Sequence, residues 1–269
     1  MTPSSSEHTI EVAGRIRTYT LAGPAEPRAL VLLFHGSNQT GAAMRPHFDP
    51  LIARGARVAS LDGYRRNWND ARSATNFPAR REGYDDVAFA EAVLDAHGTD
   101  LPVFVVGYSA GGQLVIRLLH EIPGRLAGAA IFSATQPVPE EFAPAKNSTV
   151  PRPVLLVHGT KDRLVPYHGG TASLWGFRPR GRGLSAPETA RYYAERNGIS
   201  AAPKTSGDGP VVRTDYREDG KPPVTLYTVE GGGHVIPGPV KMARVLGRGT
   251  RDLVAADAVA EFFGIPQPV

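Results

Sequence analysis

The chain has 269 residues, a formal net charge of +4 and a hydrophobic content of 41%. This apolar content is enough to fill a sizeable core, which excludes a disordered protein. With no cysteine, the chain has neither a disulfide framework nor a thiolate metal site. Basic residues are scattered along the chain and are not concentrated on one element. Even the nearest group, Arg178, Arg180 and Arg182, lies in a loop rich in glycine and proline. We therefore expect no nucleic-acid partner.

The N-terminal segment and the distribution of apolar residues bear on location. Residues 1–8 lack the basic and apolar regions of a signal peptide. No apolar run approaches the length of a membrane span, so no membrane partner is expected. The sequence as it stands predicts a cytoplasmic protein, or a secreted one if a leader has been removed. It carries no signal for the oligomeric state.

The first half of the chain predicts a hairpin followed by alternating strands and helices. Alternating residues favour two paired strands, 9–12 and 15–21, joined across Gly14. Ala29–Phe34 is a continuous apolar run, typical of a strand buried on both faces of a parallel sheet. The elements expected next are a helix around 42–54, a strand at 57–60, a long loop over 62–81, and a helix over 85–97 that Asp85 or Asp86 caps.

The second half continues the alternation. Its predicted strands are 103–106, 127–132 and 154–157, followed by a hairpin of 211–217 and 224–229. Its predicted helices are one after Ser109, one over 185–197 with Ser185 and Glu188 in capping-box spacing, and one over 251–263. No repeat or long linker divides the chain. We therefore expect one α/β domain over residues 1–269, with a mostly parallel sheet and helices on both faces.

One strand-to-helix junction has the pattern of a nucleophile elbow. Gly107-Tyr108-Ser109-Ala110-Gly111 lies between a buried apolar strand and a helix. A Gly-x-Ser-x-Gly turn presents its serine hydroxyl at the end of a strand, and small neighbours let the chain double back. The helix N-terminus beside the serine favours developing negative charge. Ser109 is therefore the candidate nucleophile.

A serine hydroxyl needs a base, which must itself be oriented by an acid. In the α/β-hydrolase arrangement these follow the serine in the order Asp, His. Asp162 comes just after a buried strand, and His234 follows the last strand after three glycines. The alternatives are His158 as base, although it precedes the candidate acid, and a different acid from the set Asp208, Asp215 and Asp219.

An acyl-transfer site also needs N–H donors for the oxyanion. The residue after the nucleophile, Ala110, is expected to supply one backbone N–H. The other is expected from Ser37, in the loop His35-Gly36-Ser37 that ends the first apolar strand. Alternatively, His35-Gly36 simply turns the chain.

Six motifs occur together in order: Leu33-Phe34-His35-Gly36-Ser37, Asp62-Gly63 with Trp68-Asn69-Asp70, Asp85-Asp86-Val87-Ala88-Phe89, Gly107-Tyr108-Ser109-Ala110-Gly111-Gly112, His158-Gly159-Thr160-Lys161-Asp162 and Gly231-Gly232-Gly233-His234. Over nearly the whole chain, this pattern resembles the esterase family that groups polyhydroxybutyrate depolymerase-like proteins with feruloyl and acetylxylan esterases. The resemblance implies an α/β-hydrolase fold, Ser109, Asp162 and His234 as catalytic residues, and Trp68 and Asn69 as lining of the substrate site.

Two departures from that family pattern lie at the expected pocket. Tyr108 stands where a smaller or more flexible apolar residue is more usual, and we expect it to contact substrate. Val235-Ile236-Pro237-Gly238 replaces the aromatic residue that often follows the histidine. Trp68 itself has two interpretations: it lines the acyl pocket, or it anchors its own loop.

The sequence thus predicts a serine carboxylic-ester hydrolase that acts through an acyl-enzyme on short-chain or aromatic, feruloyl-type esters and needs no metal or organic cofactor. One alternative is a polyhydroxyalkanoate depolymerase. A serine peptidase of the same fold is another, although such enzymes usually carry a further large module. A non-catalytic binding protein on this fold is the alternative from a different class.

Overall fold

The computed structural model describes residues 5–98, 100–144, 147–174 and 176–266. Residues 1–4, to which the prediction of location partly refers, lie outside that set. The described strands, in chain order, are β1 Ser5–Val12, β2 Arg15–Ala22, β3 Ala29–Phe34, β4 Ala56–Leu61, β5 Val103–Tyr108, β6 Gly128–Phe132, β7 Val154–Gly159, β8 Gly170–Thr171, β9 Arg182–Gly183, β10 Lys204–Ser206, β11 Val211–Tyr216 and β12 Val224–Val229.

Ten of these strands form one sheet in the order β1-β2-β4-β3-β5-β6-β7-β12-β11-β10. The six central strands, from β4 to β12, are parallel to their neighbours. Antiparallel pairs close both ends, β1–β2–β4 on one side and β12–β11–β10 on the other. The predicted mixed, mostly parallel sheet with an N-terminal hairpin is confirmed. The predicted pairing of β11 with β12 is also confirmed.

The described helices are α1 Gly41–Met44, α2 Pro50–Ala53, α3 Pro78–Arg81, α4 Asp86–His97, α5 Ala110–Glu121, α6 Ala186–Arg196 and α7 Ala255–Phe263. Two predicted caps form. The Asp85 side chain accepts from the Ala88 N–H, and Ser185 with Glu188 makes a reciprocal capping box. No helix among these described ones is long and apolar enough to cross a membrane.

Helices cover both faces of the sheet because the central strands are apolar on both sides. In β3, Leu30 and Leu32 join a core cluster with residues of α4, α5 and α6. Val31 and Leu33, which point the other way, join a second cluster with residues of α1, α2 and α7. Burying each such side chain contributes roughly 1.5–3 kcal/mol.

Two helix predictions need correction. The single helix expected around residues 42–54 is wrong: α1, a 3-10 turn at Arg45–His47 and α2 replace it. Pro46 and Pro50 fall inside that stretch, and proline lacks the N–H that a continuing helix needs. The C-terminal helix begins at Ala255 rather than 251, because the Ala255 N–H donates to the Pro237 carbonyl and the Gly238 N–H donates to that of Thr250.

The parallel strands bring several loops to one edge of the sheet. The strands β3, β5, β6, β7 and β12 are consecutive and parallel in the sheet, so their carboxyl ends lie at the same edge; four of those ends, those of β3, β5, β7 and β12, lead into candidate site residues. The segments that follow those ends carry, respectively, Ser37, Ser109, Asp162 and His234. Ligand sites of open α/β sheets lie at this edge.

Candidate active site

Ser109 lies on a sharp turn between β5 and α5, with φ 55° and ψ −115°. The turn is possible because Gly107 and Gly111, two residues to either side of Ser109, have no side chains. A Cβ at Gly107 would lie 2.2 Å from the carbonyl oxygen of Gly111, and one at Gly111 would lie 1.9 Å from that of Phe34. The Ser109 N–H donates to the Phe132 carbonyl at 2.9 Å. This strained turn leaves Ser109 partly exposed while the preceding Tyr108 is buried.

His234 lies beside Ser109, and its position depends on the glycines before it. Its backbone N–H donates to the Leu246 carbonyl at 2.7 Å. A Cβ at Gly233 would lie 2.3 Å from that same carbonyl oxygen, so this approach requires glycine. The ring Nε2 of His234 lies 2.8 Å from the Ser109 Oγ. The Tyr108 hydroxyl donates to the His234 carbonyl at 2.7 Å and holds the backbone in place.

Asp162 lies on the other side of the His234 ring, with its Oδ2 2.7 Å from Nδ1. Its Oδ1 accepts from the backbone N–H groups of Leu164 and Val165, at 2.8 and 2.9 Å. Burial would raise the pKa of Asp162, but the His234 charge and the hydrogen bonds from His158 and His234 outweigh it, and the pKa is lowered. The carboxylate is therefore ionised and fixed in orientation.

These contacts fix the direction of the hydrogen bonds. An ionised carboxylate only accepts, so the Nδ1 of His234 carries a proton and donates to Asp162. The Nε2 of a neutral imidazole then accepts, and the Ser109 hydroxyl donates to it. Such a chain can remove the serine proton as the oxygen attacks an electrophile.

The alternative base and acids lie elsewhere. The His158 Nε2 donates to the Val165 carbonyl at 2.9 Å and is 3.4 Å from Asp162 Oδ2, so His158 supports the loop that carries the acid. Asp215, on β11, forms ion pairs with Arg213 on the same strand and with Arg217 just after it. Asp208 and Asp219 are exposed. The structure brings only Asp162, of the four aspartates considered, to His234.

The two predicted oxyanion donors lie on adjoining segments. Ala110 is the first residue of α5, where N–H groups have no partner inside the helix. The loop containing Ser37 packs against the elbow: a Cβ at Gly111 would lie 2.7 Å from the His35 carbonyl oxygen, and one at Gly36 would lie 2.9 Å from the Tyr108 ring. The Ser37 Oγ accepts from the Arg180 Nη1 at 3.3 Å.

Hydrogen bonds of His35 and Trp68 hold the loop that carries Ser37 in place. The Gly63 N–H donates to His35 Nε2 at 3.0 Å, so Nδ1 carries the ring proton and donates to the Gly36 carbonyl. Burial lowers the pKa of His35, which favours this neutral form. The Trp68 indole N–H donates to the His35 carbonyl at 2.8 Å. The loop after β3 is thereby tied to the loop after β4.

Of the three predicted substrate-contacting residues, Trp68 and Tyr108 are buried and Asn69 is partly exposed. Trp68 is fully buried and packs edge-on against Phe34; these are the contacts of a loop anchor. The Asn69 side-chain amide donates to the Tyr84 carbonyl at 3.0 Å. Tyr108 is 2% exposed, with its hydroxyl on the His234 backbone. All three support the loops around Ser109.

The site also contains residues that the sequence did not indicate. The Gln113 Nε2 donates to the Thr135 carbonyl at 2.8 Å, and these two residues line a narrow crevice with Arg72 and Val165. Arg180 reaches Ser37 from a small hairpin formed by β8 and β9. None of these residues belongs to a motif or has an unusual spacing, so the sequence holds no signal that would have identified them.

Among the described residues, no three His, Asp or Glu side chains are grouped to hold a metal ion.

Comparisons with known proteins give a family named for a serine aminopeptidase and relatives named as esterases. The family described as "Serine aminopeptidase, S33" matches residues 25–150. "Putative esterase NocK" of Nocardia uniformis subsp. tsuyamanensis is 31% identical over 290 residues, covering 96% of this chain and 82% of the relative. "Feruloyl esterase B" of Piromyces equi is 26% identical over 193 residues, covering 67% of this chain and 34% of that protein.

A solved structure agrees with the fold along the full length. The PEG-bound complex of a cold-adapted esterase from an Arctic intertidal metagenomic library is 16% identical, with a TM-score of 0.55, and the match covers 99% of this chain and 96% of that one. Sheet, elbow and relatives together define a hydrolytic enzyme of the α/β-hydrolase fold. The chain belongs to the same α/β-hydrolase family as the Nocardia protein.

Proposed function

We propose that this enzyme is a serine carboxylic-ester hydrolase in which Ser109 is the nucleophile, His234 the base and Asp162 the acid that orients it. The observation that carries the proposal is the continuous hydrogen-bonded chain from Ser109 Oγ through His234 to Asp162, at 2.8 and 2.7 Å. Both distances lie within the reach required of a nucleophile and its base. The whole chain, residues 1–269, is proposed to be one such domain.

In the acylation half of the reaction, Ser109 Oγ attacks the ester carbonyl carbon while His234 Nε2 takes the hydroxyl proton. Asp162 stabilises the imidazolium that forms. The N–H groups of Ala110 and Ser37 bind the oxyanion. The tetrahedral intermediate then collapses, the bond to the alcohol oxygen breaks, and His234 gives the proton to the leaving alcohol. Ser109 is left as an acyl ester.

In the deacylation half, a water molecule takes the place of the alcohol. His234 Nε2 removes a proton from the water as its oxygen attacks the acyl carbon of the Ser109 ester. Collapse of the second intermediate releases the carboxylic acid and returns the proton to Ser109 Oγ. Apart from the ester and water, both halves use only groups of this chain.

For the substrate class, we propose short-chain or aromatic esters. The relatives' names, an esterase and a feruloyl esterase, favour this class over a peptidase. Polyhydroxyalkanoate, peptide bonds and binding without turnover are the competing possibilities. A panel of 4-nitrophenyl acetate, a feruloyl ester, a 3-hydroxybutyrate ester, suspended polyhydroxybutyrate and an aminoacyl nitroanilide separates them. We expect the first two to give the largest kcat/KM; faster cleavage of polymer or anilide would contradict the proposal.

The catalytic assignment is tested by Ser109→Ala. Turnover of 4-nitrophenyl acetate should fall by at least about 10⁴-fold, because only oxyanion binding remains. The thermal unfolding midpoint should stay close to that of the wild type. Ser206→Ala, at an exposed position of β10, is the matched control and should retain full activity. Near-wild-type turnover in Ser109→Ala would refute the mechanism.

A further inference from the structure

The hairpin of β8 and β9 forms one wall beside the proposed active site. Beyond the two strands, toward the tip of the hairpin, the Arg180 N–H donates to the Ala172 carbonyl and the Ala172 N–H donates to the Gly181 carbonyl, both at 2.8 Å. The hairpin is joined to the loop after β6, where the Leu184 N–H donates to the Gln136 carbonyl at 2.8 Å. Arg180 therefore projects from a backbone that is held at both ends.

The Arg180 side chain is half-buried and directed at the proposed oxyanion loop. Its Nη1 donates to Ser37 Oγ at 3.3 Å, and its guanidinium lies 5.2 Å from the centre of the Phe77 ring. The Ser37 backbone N–H is one of the two proposed oxyanion donors. The guanidinium thus contacts the side chain of the same residue whose backbone N–H is proposed to bind the ester carbonyl oxygen.

Two cations near Arg180 are already paired with carboxylates, Arg72 beside the hairpin and Arg182 on it. Arg72 binds Asp70 through two contacts, Nη2–Oδ2 at 2.5 Å and Nε–Oδ1 at 3.2 Å. Arg182 pairs with Glu141 at 3.4 Å. Among the described residues, no carboxylate forms an ion pair with Arg180.

The electrostatic surroundings of Arg180 favour an additional anion. Burial lowers its pKa first, Arg72 and Arg178 also lower it, and only Asp70 opposes them. Because both Asp70 oxygens already bind Arg72, that carboxylate does not compensate Arg180 fully. A half-desolvated guanidinium keeps several N–H donors that a planar carboxylate matches bidentately.

We propose that Arg180 binds a carboxylate of the substrate, so that the enzyme prefers esters carrying a free carboxylate close to the scissile bond. This inference rests on the proposed esterase function and adds the chemical class of its substrate. The carboxylate is placed either in the acyl part or in the alcohol part of the ester, and the experiment distinguishes the two.

The first test compares charged esters with neutral partners of the same shape. The acyl-side pair is 4-nitrophenyl hemisuccinate and its methyl ester; the alcohol-side pair is 4-acetoxybenzoate and its methyl ester. In one pair, the wild type should show at least about tenfold higher kcat/KM for the charged ester, the effect of one charged hydrogen-bonded contact. Arg180→Gln should lose that preference, because its kcat/KM should fall much further for the charged ester than for the neutral ester of the same shape.

Two further variants separate substrate binding from general effects. Arg178→Gln changes an exposed arginine two residues away on the same hairpin, and the preference should persist. Arg180→Lys should keep part of it, because the charge remains while the planar fork is lost. Equal losses for charged and neutral esters in Arg180→Gln would mean that Arg180 only holds Ser37, and would overturn the inference. No preference in the wild type would overturn it too.

Binding to Ser109→Ala separates this inference from the proposed function. Calorimetric titration of 4-nitrophenyl hemisuccinate and 4-acetoxybenzoate into that variant should show binding of one of them, and Ser109→Ala/Arg180→Gln should bind it at least about tenfold more weakly. Arg180-dependent binding without Ser109-dependent turnover would refute the esterase function and leave the carboxylate site. Ser109-dependent turnover without Arg180-dependent binding would refute the site alone.

Discussion

At the residue scale, the arrangement around Asp162 explains how one carboxylate keeps a fixed orientation. One of its oxygens accepts two backbone N–H groups from its own loop, and the other accepts from His234. His158 braces the same loop by donating to the Val165 carbonyl. The two histidines therefore have different contacts, and we propose different tasks for them: His234 acts on the Ser109 oxygen, and His158 positions Asp162.

Alanine substitution of each histidine separates these tasks. His234→Ala should lose at least about 10³-fold in kcat, because the base is gone. His158→Ala should lose about tenfold or less, because Asp162 keeps its two backbone donors. Steady-state kinetics on 4-nitrophenyl acetate measure both values. The reverse order of losses would make His158 the base.

The sequence predicts which loops carry Ser109, Asp162 and His234, because these residues follow the ends of strands in a fixed order. It does not predict in which direction a side chain such as that of Trp68 points. The order Ser109, Asp162, His234 follows from the strand-end pattern, and the structure brings these three together. The sequence left two interpretations for Trp68. Its burial under His35 depends on how the loop after β4 folds back against the loop after β3, a long-range contact that no local pattern encodes. The contact of Arg180 with Ser37 is likewise long-range, and no local sequence pattern encodes it.

At the scale of elements, the junction of β5 and α5 depends on close approach between backbones. The Gly111 Cα faces the Phe34 and His35 carbonyls, where no side chain has room. Neither carbonyl is the end of a flexible side chain, so a Cβ there would force β3 and α5 apart. The glycine therefore keeps Ser109 and the loop that carries Ser37 at their observed separation.

Gly111→Ala should consequently destabilise the protein by about 3 kcal/mol or more, since the clash is with backbone. For a chain of this size, that corresponds to a fall of roughly 6–12 °C in the thermal unfolding midpoint. Gly124→Ala is the matched control, because nothing lies within 4 Å of its Cβ position; it should stay within about 0.5 kcal/mol. Similar midpoints for the two variants would contradict this account of the turn.

Most element types were predictable, and the exceptions have local causes. Period and apolar runs indicated the strands of the central sheet and the helices α4, α5 and α6. The prolines at 46 and 50 divide what the apolar pattern suggested was one helix. Strands β8 and β9 have two residues each, which is too few to show an alternating pattern. The sequence therefore predicts a loop where the structure has the hairpin that carries Arg180.

At the scale of the whole molecule, several buried histidines make stability depend on pH. His120 lies in the last turn of α5 and contacts α6: its Nδ1 donates to the Ile116 carbonyl, and its Nε2 accepts from the Tyr192 hydroxyl. Burial, reinforced by Arg196, lowers the pKa of His120 to about 4. The pKa values of His35 and His47 are lowered by burial in the same direction.

The sign of the effect follows from which state binds the proton. In the unfolded chain, a histidine takes up a proton below about pH 6.5, whereas folded His120 stays neutral until about pH 4. Stability is thus fully present above pH 6.5 and lost as pH falls toward 4. The lowered pKa of Asp162 acts in the same sense only below about pH 4, where an unfolded aspartate titrates.

Urea unfolding at pH 7 and pH 5 measures this loss. His120 should account for about 2 kcal/mol of the fall in the free energy of unfolding between the two values. His120→Gln should fall by about that much less than the wild type, whatever its stability at pH 7. Equal falls in the two proteins would show that His120 takes up its proton alike in the folded and unfolded states.

The sheet as a whole was predictable in class but not in order. Alternating strands and helices indicated a mostly parallel sheet, since a crossover through a helix returns the chain in the same direction. They did not say that β4 lies outside β3, or that β12 lies beside β7. That order sets which strand ends are neighbours, and therefore which loops can share one site.

The most direct test of the central claim is to identify the residue that an ester-like inhibitor modifies. A 4-nitrophenyl alkylphosphonate should release one nitrophenolate per chain and leave one phosphonyl group, which peptide mass spectrometry should locate on Ser109. Modification should be much slower in His234→Ala and absent in Ser109→Ala. An adduct on another residue, or continued ester hydrolysis by fully modified enzyme, would contradict the account.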